Sequence, residues 1–228
     1  MFKLFKKYPF LVSGLSKKAN GVMGLSFEET TTNFIAYFKK QGIENINIIR
    51  AGLVHGDNVV KVGITESGQT IPNCDGLLTN SKNLFLSLTV ADCYPIYFFN
   101  PQNRKVGLIH CGWRGAISPL IKNMVDSIGP EPNKILVGVG PGIGLCHFEV
   151  QNDILRSFEN FSEAIRPKEN KIFIDLPLII KKQLIQTGIT PENIEFVDEC
   201  TYCDKTKYFS YRRDKPAKIA TMVAYIGL

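Results

Sequence analysis

Between residues 46 and 110 the chain is written almost wholly in short β-branched and aromatic runs, at 46–50, 59–64, 84–90, 96–99 and 105–110. Side chains of this kind fit a pleated surface, and several of the runs lack polar alternation, so the strands are expected to be buried on both faces. Strands of that kind must be covered, and helical periodicities flank them. Spacing predicts helices over 27–40, where Phe34, Ile35 and Phe38 share a face and Gly42 offers the stop, and over 117–128, 152–164 and 176–187. Further strands are expected at 134–139, 194–197 and 218–226. The loose alternation predicts an α+β fold, mixed α/β layers around one extended sheet system. No repeat, low-complexity tract or linker divides the 228 residues, and Pro130-Glu131-Pro132-Asn133 reads as a helix-to-strand loop, so one domain over 1–228 is expected.

Charge and composition narrow the class. Lys and Arg number 27 against 21 Asp and Glu, a surplus of +6 with no block of like charges. That balance suits small anionic substrates and argues against a dedicated nucleic-acid binder. No run of 18 apolar residues occurs, and the basic Lys3, Lys6 and Lys7 precede only a short apolar stretch at 9–12. Neither a membrane span nor a signal peptide is read, and a cytoplasmic location is expected. The six irregularly spaced cysteines are then reduced thiols, open to metal binding or nucleophilic chemistry. Imidazole comes only from His55, His110 and His147.

Three segments share one grammar: an apolar strand ends on a reactive residue and a Gly or Pro turn follows. They end at His55-Gly56, at Asp92-Cys93-Tyr94-Pro95 and at His110-Cys111-Gly112. Strand ends hold side chains rigidly, and glycine admits a ligand or another chain. If His55, Cys93 and His110 meet, two imidazoles and a thiolate suit zinc with a fourth position open, the arrangement of a catalytic site. The same atoms equally suit a Cys93 nucleophile with His110 or His55 as general base, and the sequence leaves both open. His147-Phe148-Glu149 with Cys200-Thr201-Tyr202-Cys203 superficially matches the deaminase elements, but Glu199 stands where Pro is needed. The plainer reading is that Cys200 and Cys203 pack or approach another thiol. Trp113-Arg114 between Gly112 and Gly115, ahead of a helix, offers a guanidinium and backbone N–H groups to a phosphate. The glycines of 138–144 lack the Lys-Ser/Thr of a phosphate loop and read as a structural turn. Tyr208-Phe209-Ser210-Tyr211-Arg212-Arg213-Asp214 reads as a surface strand whose guanidiniums could hold phosphate.

The ordered set Val54-His55-Gly56, Asp75-Gly76-Leu77-Leu78-Thr79, Ala91-Asp92-Cys93-Tyr94-Pro95, His110-Cys111-Gly112-Trp113-Arg114-Gly115, Gly140-Pro141-Gly142-Ile143 with Phe148-Glu149-Val150, and Cys200-Thr201 with 209–214 resembles the YfiH-like, or laccase-domain, family. The resemblance runs from about residue 50 to the C-terminus. It implies a β-sandwich core flanked by helices, related to cysteine-dependent toxin deamidases. It also implies a catalytic metal set at His55, Cys93 and His110 holding zinc, or copper in some members. The activity implied is phosphorolysis of adenosine, inosine and S-methyl-5'-thioadenosine, with adenosine deamination beside it. Purine nucleoside and phosphate are thus the expected small-molecule partners, for a monomer or small homo-oligomer. Arg114 is the first candidate for the phosphate, with Arg212 or Arg213 behind it, and Asp92 is a candidate either for handling a proton or for supporting the residues that touch the metal or substrate. The alternative is a cysteine-nucleophile amide hydrolase of a peptidoglycan precursor. A multicopper oxidase needs far more than three histidines. Three departures stand out: Cys111 for the usual Ala, Val90 for the usual Thr, and Ser16-Lys17-Lys18-Ala19-Asn20-Gly21 in place of a Thr-Arg-x-Gly-Gly turn. The first would set a second thiol beside the metal, and the last would leave Lys17 or Lys18 to replace the family's Arg.

Overall fold

The apolar runs of 46–110 divide between two sheets instead of building one. In the computed structural model, which describes residues 2–24, 32–215 and 217–228, the strands are β1 (Val12–Leu15), β2 (Ile48–Ala51), β3 (Val59–Lys61), β4 (Thr70–Ile71), β5 (Gly76–Thr79), β6 (Phe85–Val90), β7 (Tyr94–Asn100), β8 (Lys105–Cys111), β9 (Leu136–Val139), β10 (Glu149–Val150), β11 (Ile165–Lys168), β12 (Lys171–Ile174), β13 (Ile194–Phe196) and β14 (Met222–Gly227). Their orders are β1-β14-β6-β2-β4, β13-β9-β7-β8-β5-β3 and, in a small sheet, β10-β12-β11. The helices are α1 (Thr32–Lys40), α2 (Trp113–Ile117), α3 (Leu120–Ile128), α4 (Asn152–Leu155), α5 (Leu176–Gln186) and α6 (Tyr211–Asp214). The fold is mixed α/β, with several sheets and few helices.

Period-two alternation explains why the strands carry apolar residues on both faces. On β6 and β14, Leu86, Leu88, Val90, Met222, Ala224 and Ile226 turn to one side. They meet Tyr97 and Phe99 of β7 and Val106 and Leu108 of β8, which closes an apolar layer between the two larger sheets. Odd residues of β14, Val223 and Tyr225, face outward instead and are covered by Phe34, Tyr37 and Phe38 of α1. Beyond the six-stranded sheet, Ile96, Phe98 and Ile109 pack under Met124 and Val125 of α3 and Ile180 and Leu184 of α5. Each fully buried side chain of this size contributes about 1.5–3 kcal/mol, so the stack is held chiefly by its apolar layers.

Several expected boundaries move. The predicted helix over 27–40 is described from Thr32, and 27–31 lies outside the described residues. The helix expected over 117–128 is two, because Pro119 cannot continue the ladder and instead caps α3. Only Asn152–Leu155 of the segment 152–164 is α-helical; a 3₁₀ stretch with a non-helical Phe161 follows. The 208–214 segment is no strand: Ser210 accepts the N–H of Arg213 and starts α6. Among the described residues no helix is long and apolar enough to cross a membrane.

Candidate active site

The connections between the two larger sheets carry the chemistry. β6 belongs to one sheet and β7 to the other, and Ala91-Asp92-Cys93 makes the crossing. The 52–58 segment likewise leads from β2 in the first sheet to β3 in the second and carries His55. His110, the last residue but one of β8, lies in register with Pro95, so the antiparallel ladder itself sets it near Cys93. The ligand atoms of His55, Cys93 and His110 all lie within 4.8 Å of one another. The two imidazole rings meet edge to face, their centroids 4.8 Å apart.

Asp75, just ahead of β5, orders this group from behind. Its Oδ1 is 2.9 Å from Nδ1 of His110, and its carboxylate accepts the backbone N–H groups of Val54, His55 and Gly56 at 3.1, 3.0 and 2.7 Å. Those bonds hold His55 at a φ of 59°, a left-handed conformation that imidazole-bearing residues tolerate better than bulky ones. With Nδ1 of His110 committed to Asp75, Nε2 is the nitrogen left for a ligand. Burial opposes charge on Cys93, yet the charge and hydrogen bonds of His110 and the contact with His55 outweigh it and bring the thiol down to about 6. Burial likewise opposes protonation of His110, which the Cys93 and Asp75 charges overcome, raising it to about 9. Gly112 completes the packing, since a Cβ there would lie 2.8 Å from the Cys93 sulfur.

These three side chains open on a cavity of about 560 Å³. Trp113, Phe148, Leu176 and Ile143 give it apolar walls, and Arg212 supplies a cation. That volume and lining match small-molecule sites in general. The other expected site residues fall differently. Arg114 does not line the cavity; it is exposed, and its guanidinium lies 4.2 Å over the Trp113 ring. Arg213 is spent on structure, donating to the carbonyls of Thr201, Tyr202 and Tyr208 and to the Asp214 carboxylate. Asp92 borders the cavity, but its carboxylate accepts Thr201 Oγ1 at 2.6 Å, Ser210 Oγ at 3.0 Å and the Arg212 N–H at 2.7 Å. It pins the C-terminal segment to the Cys93 turn, the supporting one of the two roles expected of it. Arg212 alone of these arginines faces the cavity, with one nitrogen tied to the Glu149 carbonyl at 2.7 Å.

The sequence profile described as multi-copper polyphenol oxidoreductase laccase matches residues 26–228. The chain belongs to this family. Relatives include a purine nucleoside phosphorylase of Rickettsia conorii, 32% identical over 86% of this chain and 81% of that one. The Escherichia coli purine nucleoside phosphorylase YfiH is 31% identical over 77% of this chain and 71% of its own length. Among solved structures, YlmD from Geobacillus stearothermophilus superposes with a TM-score of 0.85 at 28% identity, covering 97% of this chain and 93% of that one.

None of the three departures from the usual laccase-domain pattern lines the cavity. Cys111 follows His110 on β8, so its side chain points to the opposite face, into the core beneath the helices. Burial holds its thiol far above the ordinary range, and it belongs to neither cluster of ligand atoms. Val90 packs between the sheets. Lys17 and Lys18 are exposed and do not line the cavity. Asp75, by contrast, stood in the sequence only as part of a motif. An Asp ahead of a strand carries no mark of the histidine it will meet 35 residues later.

Proposed function

We propose that this chain is a zinc-dependent purine nucleoside phosphorylase acting on adenosine, inosine and S-methyl-5'-thioadenosine, with adenosine deamination as a side activity. The observation that carries the reading is the convergence of His55, Cys93 and His110 at a cavity that Arg212 also faces, in a chain whose relatives are named for this activity. The donor set suits the metal: one thiolate and two imidazoles are borderline-soft ligands, and three protein donors leave a side open to the cavity. Copper(I) is served by the same thiolate, so the metal is settled by analysis of the purified protein. What a zinc ion supplies there is Lewis acidity, which deamination requires to activate water near neutral pH.

The chain's own residues do the rest. In phosphorolysis a phosphate oxygen bonds to the anomeric carbon, the glycosidic C–N bond breaks, and its electron pair leaves with the purine, which takes up a proton. Arg212 is the guanidinium placed to orient phosphate. Trp113 and Phe148 offer aromatic faces to base or ribose and, with Leu176, keep competing water from the anomeric carbon. Asp75 fixes the ring of His110, and Asp92 holds the backbone of Arg212 against the Cys93 turn. The test is phosphate-dependent release of adenine from adenosine, measured with metal content, for the wild-type chain and for Cys93→Ala. Full activity in that variant would sink the proposal.

A specific contact favours one second reading, a cysteine amide hydrolase of a peptidoglycan precursor. Asp75, His110 and Cys93 form a carboxylate–imidazole–thiolate relay, the geometry of an activated nucleophile. In that reaction the thiolate would bond to the amide carbon, His110 would pass its proton to the departing amine, and water would release the thioester. The implied kinship with toxin deamidases sits naturally with it. Activity that survives chelation and ignores phosphate separates this reading from the first.

A further inference from the structure

We infer that the chain carries a second metal site, a closed zinc centre formed by Cys146, His147, Cys200 and Cys203, remote in sequence from the ligands of the cavity and built for structure. It rests on these four residues and stands whether or not the chain is a phosphorylase. Their ligand atoms all lie within 4.8 Å of one another. The Cys146 and Cys203 sulfurs are 3.5 Å apart, and Nδ1 of His147 is 3.3 Å from the Cys203 sulfur. Zinc bonds of about 2.3 Å to sulfur and 2.0–2.1 Å to nitrogen, set at tetrahedral angles, place such donors roughly 3.5–3.8 Å apart, close to the separations found. Three thiolates and one imidazole fill a tetrahedron and leave no open position, which marks a structural site.

The surroundings are arranged for charged sulfur. Cys200 and Cys203 stand in a Cys-x-x-Cys turn closed by the Asp204 N–H on the Cys200 carbonyl at 3.1 Å. The backbone N–H of Gly144 donates to the Cys200 sulfur at 3.2 Å, a bond that favours thiolate. The His147 ring stacks at 3.8 Å and 16° on Tyr202, the residue inside that turn, so its orientation is fixed by the opposite loop. Cys146 and Cys203 are exposed, a costly placement for free thiols and an ordinary one for ligands of a surface-bound zinc.

What the ion would hold together is the cavity's far wall. The loop carrying Cys146 and His147 also carries Ile143 and Phe148, which line the cavity. The loop carrying Cys200 and Cys203 also carries Thr201, which bonds Asp92 beside Cys93. The ion would add to the parallel bridge of Gly142 with Cys200, the Thr201 N–H on the Gly142 carbonyl at 3.0 Å, the Gly144 N–H on the Cys200 sulfur and the His147–Tyr202 stack, which already join the two loops.

The experiment is metal analysis with cobalt substitution on the full chain, purified under reducing conditions. Cys93→Ala is expected to keep one tightly held equivalent of zinc, and the Cys200→Ser/Cys203→Ser variant to lose one equivalent relative to wild type. Cobalt bound to Cys93→Ala should show the sulfur-to-cobalt charge-transfer absorption of a three-thiolate tetrahedral site. The same absorption is read on the wild-type chain as the second equivalent is added, so the result does not depend on any variant folding. A Cys93→Ala chain that folds and holds no metal, or a wild-type chain that shows no three-thiolate cobalt absorption at any loading, would overturn the proposal. So would a Cys146–Cys203 disulfide, two mass units below the dithiol, in the protein purified under reducing conditions.

Discussion

One carboxylate, Asp75, orients two metal-ligand candidates at once: its Oδ1 is 2.9 Å from Nδ1 of His110 and also accepts the N–H of His55 at 3.0 Å. A histidine tethered in this way presents its other nitrogen in a fixed direction, and losing the tether usually costs about 10–100-fold in metal affinity. Asp75→Asn is therefore expected to weaken zinc binding on that scale in a competitive chelator titration. Unaltered affinity would show that the ladder of β8 alone positions His110.

Gly112 gives a sharper steric test. A methyl group there falls 2.8 Å from the Cys93 sulfur and 3.6 Å from Cδ2 of His55. Gly112→Ala must displace the thiolate, and about a tenfold loss of zinc affinity is expected with the melting temperature little changed. Isothermal titration alongside thermal unfolding separates the two effects.

The metal-free chain should show an unusual thiol. Cys93 titrates at about 6, below its ordinary 9.0, because His110 and His55 outweigh the penalty of burial. Its thiolate fraction thus rises with pH through about 6, and alkylation of Cys93 at pH 7 should already run near its plateau rate. For stability the sign must be taken over the pair: the lowered Cys93 contributes stability that is lost as pH falls towards about 6, the raised His110 contributes stability that is lost as pH rises through about 9, and between those values the two offset, so the pair leaves stability nearly flat there. Peptide mapping after iodoacetamide pulses at stepped pH reads the first, and a midpoint near 9 would refute it.

Neighbouring arginines should separate cleanly. Arg212 faces the cavity, whereas the Arg213 guanidinium closes the 201–214 segment on itself. A charge-assisted hydrogen bond is worth about 1.5–3 kcal/mol, so Arg212→Gln is expected to raise the KM for phosphate by about 10–100-fold. Arg213→Gln should instead lower the melting temperature and leave the phosphate KM alone. Steady-state kinetics at varied phosphate, with calorimetry, distinguish them.

Asp92 is expected to matter for folding first. Its carboxylate satisfies two hydroxyls and a backbone N–H from segments more than a hundred residues away. Asp92→Ala leaves those donors unpaired, at a cost of about 3 kcal/mol or more. Urea unfolding of the metal-free chain measures it.

The sequence by itself determined the parts list. The apolar runs of 85–90, 94–100 and 105–111 stand as strands because β-branched and aromatic residues fill both faces of a sheet, and Leu176–Gln186 is a helix as its periodicity requires. It also supplied the candidate ligands, because reactive residues at strand ends before glycine or proline are few in this chain. Tertiary structure alone decided that the strands split between two sheets, which made the Cys93 and His55 connections crossings at the same end of the stack. It alone gave Asp75 to His110, turned Cys111 away, tied up Arg213 and left Arg212 in the cavity. Cys146 and His147 met Cys200 and Cys203 by the same means. The pairings of Asp75 with His110, of Cys93 with His55 and His110, and of Cys146 and His147 with Cys200 and Cys203 join residues far apart along the chain, and such pairings are set by which faces bury against which, a property that local spacing does not encode.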